Sequence, residues 1–169
     1  MGGAIYFFNN LDPKIINSLF VENEAQGGGA VYHDASGIST FSDLEVVNSI
    51  FVNNLASEGG SLHIAKRNGD EVEQIENNIF WDTNGRDNPI LVRTTFGAFT
   101  PPNISNNIVI GGYEEEGSEN NIDDDPQFVD PDNNDFRLQL NSPGIDAGNN
   151  DPINLDTDFS ATLVSSTAP

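Results

Sequence analysis

Apolar positions in this chain fall in short runs separated by asparagine and glycine, and no run keeps a helical period. Ile15-Ile16, Leu44 to Val47, Ile90-Leu91-Val92 and Ile108-Val109-Ile110 are typical. They are short and rich in β-branched residues, which predicts strands. The 23 asparagines and 16 glycines between them tolerate the left-handed backbone of sharp bends. The pattern predicts an all-β chain of short strands.

The strands recur with a period. Asn17-Ser18-Leu19-Phe20, Asn48-Ser49-Ile50-Phe51, Asn77-Asn78-Ile79-Phe80 and Asn106-Asn107-Ile108-Val109 begin 31, 29 and 29 residues apart. A second phrase keeps step with the first: Gly2-Gly3-Ala4-Ile5-Tyr6, Gly28-Gly29-Ala30-Val31-Tyr32 and Gly59-Gly60-Ser61-Leu62-His63. Such periods belong to stacked arrays, in which each unit buries its apolar face against its neighbours. The expected fold is a right-handed, single-stranded parallel β-helix (a solenoid) of about four coils with a C-terminal closing segment.

Stacking predicts columns of like residues. Phe20, Phe51, Phe80 and Val109 form one interior column, and Ile15, Val46, Ile75 and Ile104 a second. Ile5, Val31, Leu62 and Leu91 are expected inside, with Tyr6, Tyr32, His63 and Val92 next to them and outward. The leading asparagines are expected to form an amide ladder at a bend, satisfying backbone groups that sheet pairing leaves free. Insertions fall at 66–74 and 81–89.

The expected organisation is coils over 1–112, an acidic loop and closing rungs over 113–150, and a tail or linker over 151–169. The pattern decays from Gly111, and a dissimilar closing segment is expected to protect the open sheet edge there. It holds Asp125-Pro126-Gln127-Phe128-Val129-Asp130-Pro131, Asp135-Phe136-Arg137-Leu138 and Ser142-Pro143-Gly144-Ile145-Asp146-Ala147-Gly148.

With these phrases, the chain resembles the right-handed parallel β-helix repeats of bacterial surface proteins, namely the choice-of-anchor Q and polymorphic outer-membrane protein-like repeats. The resemblance covers nearly the whole length. It implies a secreted or surface-anchored bacterial protein and implies no reaction. The Asp-Ile-Gly-Ala-aromatic-Glu phrase that usually finishes the family is missing before Thr167-Ala168-Pro169, which reads as truncation. The opening at Met1-Gly2-Gly3 reads likewise as the middle of a repeat, with any secretion signal upstream.

Charge narrows the partners. With 27 acidic against 6 basic residues and a net charge of −21, binding to nucleic acid or anionic lipid is disfavoured. No apolar run approaches a membrane span. Cysteine is absent, so disulfides and thiolate metal sites play no part. An uncapped first coil suggests end-to-end self-association.

Two regions could carry chemistry. Tyr32, His63, Lys66, Arg67, Trp81, Arg86 and Arg93 are expected to share one flank, with His63 beside Val92. Rings stacking on sugar faces and cations meeting carboxylates would suit an acidic carbohydrate. The plainer reading makes the tyrosines ordinary outward sheet aromatics and the cations an offset to the acidic surface. Asp123, Asp124, Asp125, Asp130 and Asp132, with Asp135, offer the hard oxygen ligands that Ca²⁺ prefers, without EF-hand spacing. Their plainer role is a solvated charge run. His33, beside Asp34, is expected to be solvated in a bend.

The pectin-hydrolase and pectate-lyase phrases are missing. The first expectation is therefore a non-catalytic extracellular segment, a stalk or a carbohydrate-presenting surface, with no required cofactor and Ca²⁺ as the only candidate. The alternatives are a polysaccharide lyase or glycoside hydrolase acting on acidic polysaccharide, and an adhesin binding protein.

Overall fold

The computed structural model describes residues 2–8, 12–37, 42–66, 72–84, 88–94 and 100–150. The expected tail at 151–169 lies outside them, as do Arg67 and Arg86. The first round of chain contains β1 (Ile5–Phe8), β2 (Lys14–Ile16), β3 (Leu19–Val21) and β4 (Glu24–Gly27). The second contains β5 (Val31–Ala35), β6 (Glu45–Val47), β7 (Ile50–Val52) and β8 (Leu55–Glu58). The third has β9 (Leu62–Lys66), β10 (Gln74–Glu76) and β11 (Ile79–Trp81), and the fourth β12 (Ile90–Thr94), β13 (Asn103–Ser105) and β14 (Ile108–Val109). There follow β15 (Ser118–Glu119), β16 (Phe128–Asp130), a 3-10 turn at Pro131–Asn133 and β17 (Asp135–Leu138).

Strands of successive rounds pair in parallel with their counterparts, except that β8 meets no third-round strand among the described residues. The result is several separate parallel sheets: a first of order β1-β5-β9-β12, a second of order β15-β13-β10-β6-β2, a third of order β14-β11-β7-β3, and the pair β4-β8. Among the described residues no helix is long and apolar enough to cross a membrane.

The first three sheets contribute to one apolar core. Ile15, Val46, Ile75 and Ile104 pair in register across the second sheet, and Phe20, Phe51, Phe80 and Val109 across the third. All eight belong to the same buried cluster as Val31, Leu62 and Ile90 of the first sheet. The Phe20–Phe51 and Phe51–Phe80 ring centroids lie 4.8 and 4.6 Å apart, with planes within 10° and 11° of parallel. The sheet spacing of about 4.8 Å sets this separation directly.

The fourth round departs from expectation by one residue. Ile90, not Leu91, pairs with Leu62, and Leu91 pairs with His63. Leu62 N–H donates to Pro89 O and Gly60 N–H to Asn88 O, so this round is one residue shorter than the glycine phrase suggests. In an all-apolar Ile-Leu-Val run alternation is silent, and backbone pairing decides which face is buried.

The asparagine ladder also lies one position on. Asn17, Asn48, Asn77 and Asn106 have φ of 48°, 53°, 58° and 56°: they supply the left-handed bend. The ladder is built by their successors. Ser18 N–H donates to Ser49 Oγ at 3.1 Å, Ser49 N–H to Asn78 Oδ1 at 2.9 Å, and Asn78 N–H to Asn107 Oδ1 at 2.9 Å. A second ladder follows the third sheet: Asn23 N–H donates to Asn54 Oδ1 at 3.0 Å, and Asn54 N–H to Asp82 Oδ1 at 2.8 Å. Both satisfy bend N–H groups that the sheets leave over.

A fifth copy of the phrase, Asn120-Asn121-Ile122, continues the first ladder. Asn107 N–H donates to Asn121 Oδ1, only 14 residues on, Asn120 is left-handed at φ 55°, and Ile122 bridges Ile108. The pattern therefore runs past Gly111 in a shortened round, with no first-sheet strand between Val109 and Ser118. This round, rather than the closing segment, lies against the edges of the second and third sheets.

The closing segment covers a side instead. The antiparallel pair β16–β17 brings Phe128 and Phe136 against Val52, Ile79 and Ile108, with Trp81 and Val21 partly buried beside them. Farther on, Asn149 N–H donates to Asn77 Oδ1 at 2.8 Å and Asn77 Nδ2 to Asn149 O at 2.7 Å. The physical reason is the outer face of the third sheet, which is as apolar as its inner one and needs cover.

Candidate functional site

Of the seven residues expected to share one flank, Arg67 and Arg86 lie outside the described residues, and the other five do not share one. Tyr32 and His63 stand in the outward row Tyr6–Tyr32–His63–Leu91 of the first sheet. Ring centroids along it are 5.5 Å apart for Tyr6–Tyr32 and 4.5 Å for Tyr32–His63. His63 faces outward by register yet is only 2% exposed. A Cβ on Gly27, at the end of β4, would stand 3.2 Å from His63 Nδ1 and from the Tyr32 ring, so β4 closes over both. Neither ring nitrogen of His63 has a hydrogen-bond partner, and burial lowers its pKa. It is a neutral packing group. Arg93 follows in the next outward row, opposite Ala65, and its guanidinium lies 3.2 Å from Glu58.

Lys66 points the other way. It pairs with Ala35 and Thr94 at the inward end of the first sheet, and its Nζ donates to Glu73 Oε2 at 2.6 Å with both side chains buried. Burial raises the Glu73 pKa, opposed by the hydrogen bond from Lys66. His33 likewise corrects the expectation of a solvated bend residue: it lies within β5 in the inward row Phe7–His33–Ile64–Val92. It is fully buried, with Nε2 3.1 Å from Ser42 Oγ. Desolvation lowers its pKa to about 4, so it is neutral at pH 7. The sequence signal for both was parity: counting alternate positions from Val31 and Leu62 places His33 and Lys66 inside.

Trp81 lies on the third sheet in the row Val21–Val52–Trp81, on a surface that faces the closing segment. There the β16–β17 pair leaves a groove of about 640 Å³. Trp81, Val52 and Phe128 give it apolar patches, while Asn53, Thr83, Gln127, Asn134 and Gln139 contribute amides and a hydroxyl. Glu22, Asp125 and Asp132 add carboxylates. No Lys, Arg or His is among the described lining residues. Apart from Trp81, Asp125 and Asp132, sequence reasoning missed these positions, because they meet only when the closing segment folds back.

Among the described residues no three His, Asp or Glu side chains gather to hold a metal ion. Several of the aspartates expected as calcium ligands serve the loop itself. Asp123 Oδ1 accepts from Gly111 N–H at 2.7 Å, Asp125 Oδ1 from Gln127 N–H at 2.7 Å, and Asp130 Oδ2 from Asn133 Nδ2 at 2.8 Å. Asp135 is bound by Arg137.

One carboxylate is strongly perturbed. Asp82, buried in the second ladder, accepts from Asn54 N–H and from Ser61 Oγ at 2.8 Å. Burial nevertheless pushes its pKa up to about 6. Its partners are ladder groups, which makes its role architectural. Comparison with protein-family models, with curated proteins and with solved structures gives no match to this chain.

Proposed function

We propose that the parallel sheets are the faces of a right-handed parallel β-helix, and that the chain is a non-catalytic segment of a secreted or surface-attached bacterial protein that presents a binding surface, with carbohydrate as the ligand class. The observation that supports the reading is the vertical filing of like residues: Phe20, Phe51 and Phe80 stack in register while three sheets contribute to one core. A core so narrow leaves little room for an internal site. The outer surfaces, with their tolerated length changes, are where ligands would meet the molecule.

A lyase or hydrolase would need a base beside an open cation or a paired acid. Among the described basic residues expected to serve, His63 is covered, Lys66 is committed to Glu73 inside, and Arg93 is engaged by Glu58. Incubation with a panel of acidic and neutral polysaccharides, with and without Ca²⁺, should yield neither unsaturated uronates nor new reducing ends. Turnover that disappears in His63→Ala would overturn the non-catalytic reading.

A further inference from the structure

We infer that the groove between the third sheet and the β16–β17 pair binds an oligosaccharide free of anionic groups, and an amine-bearing one in preference to a neutral one; the assignment rests on the ligand-presenting reading above. At about 640 Å³ the groove falls within the range of small-ligand sites. Its walls combine the two kinds of group that sugars require. One is an indole, which can lie against the CH face of a pyranose ring. The others are carboxamides and carboxylates, which pair with neighbouring hydroxyls.

Two of these amides have groups to spare. Asn53 uses its oxygen to accept from Thr83 N and Oγ1, leaving its NH₂ available. Gln139 uses its NH₂ to donate to Phe128 O, leaving its oxygen available. A donor and an acceptor thus stand on side chains already held by other bonds, which lowers the ordering cost of binding.

Charge selects within the class. Glu22, Asp125 and Asp132 meet no cation among the described lining residues, and the chain carries −21 overall. A uronate would be repelled, whereas an ammonium would be attracted. This reverses the acidic-sugar expectation drawn from the basic residues. A basic peptide answers the charge but leaves the wall of amides without the dense hydroxyl pattern that it matches.

The chain has a single tryptophan, and it lines this groove, so selectively excited tryptophan fluorescence reports on the site alone. The whole chain is titrated with glucosamine oligomers, their N-acetylated counterparts and galacturonate oligomers, alongside amide NMR. Saturable fluorescence shifts are expected with the first two. Glucosamine oligomers should bind several-fold tighter at low salt, and the gap should close in high salt. Asp132→Asn should lessen the amine preference several-fold, Gln139→Ala should weaken both about tenfold, and Arg93→Ala should change neither.

Three results would overturn the groove assignment. The first is no response to either neutral or amine-bearing sugars. The second is equal affinity for an oligolysine of matched charge. The third is galacturonate binding lost in Arg93→Ala, which would move the ligand to the first sheet and leave the ligand-presenting reading standing. Turnover of the sugars would instead defeat that reading while leaving the groove as the place of binding.

Discussion

Consecutive residues of the phrase carry different loads, and substitution should separate them sharply. Asn78 is buried. Its Oδ1 accepts from Ser49 N–H at 2.9 Å, and its Nδ2 donates to Val46 O at 2.8 Å and to Asn107 Oδ1 at 3.0 Å. Asn78→Ala strands one backbone N–H and deprives one backbone C=O of this donor. Each buried orphan costs about 1–3 kcal/mol, so the loss should be about 2–6 kcal/mol. For a chain of this size that lowers Tm on the order of 10 °C.

Asn48 is the contrast. Its value lies in φ of 53°, a conformation that glycine adopts without strain. Asn48→Gly should therefore stay within about 0.5 kcal/mol, and Asn48→Val should cost about 1–2 kcal/mol. Asn78→Ser should fall between the extremes, because Ser49 already accepts from Ser18 N–H in the same ladder. Urea denaturation followed by circular dichroism measures all four. A loss below about 1 kcal/mol for Asn78→Ala, or one for Asn48→Gly that equals it, would refute the division of roles.

Asp82 gives a pH signature. Its folded pKa of about 6 lies above the ordinary 3.8, so the folded chain holds this proton more firmly than the unfolded one. Its contribution is fully present below about pH 4 and is lost as pH rises through 6. Asp82→Asn keeps an acceptor for Asn54 N–H, and should flatten that slope and stabilise the protein at pH 7.5 by about 1–3 kcal/mol; a less stable variant at that pH would contradict it. For the buried ion pair, Lys66→Met should cost about 3–5 kcal/mol by leaving Glu73 uncompensated, while Lys66→Met with Glu73→Leu should recover most of it. A double-mutant cycle by denaturation checks this, with additive losses as the contrary result.

Short-range chemistry wrote the strands, the bends and two interior files into the sequence. Phe20, Phe51 and Phe80, like Ile15, Val46, Ile75 and Ile104, could be placed because apolar residues recurred at a steady distance from an asparagine, and parallel pairing turns equal spacing into direct contact. Where the local signal was degenerate, only the folded backbone could decide. Ile90-Leu91-Val92 is apolar at every position, so its register came from the hydrogen bonds of Asn88 and Pro89. The two polar residues of Asn77-Asn78 differ in backbone dihedral, which letters do not display. The meeting of side chains from different elements lay furthest from view. His63 is covered by Gly27, Lys66 meets Glu73 inside, and Trp81 faces a groove completed by Gln127 and Gln139 from the far end of the chain. None of these contacts follows from spacing. The groove in particular depends on which apolar face the closing segment is driven to cover, and that is a property of the assembled surface.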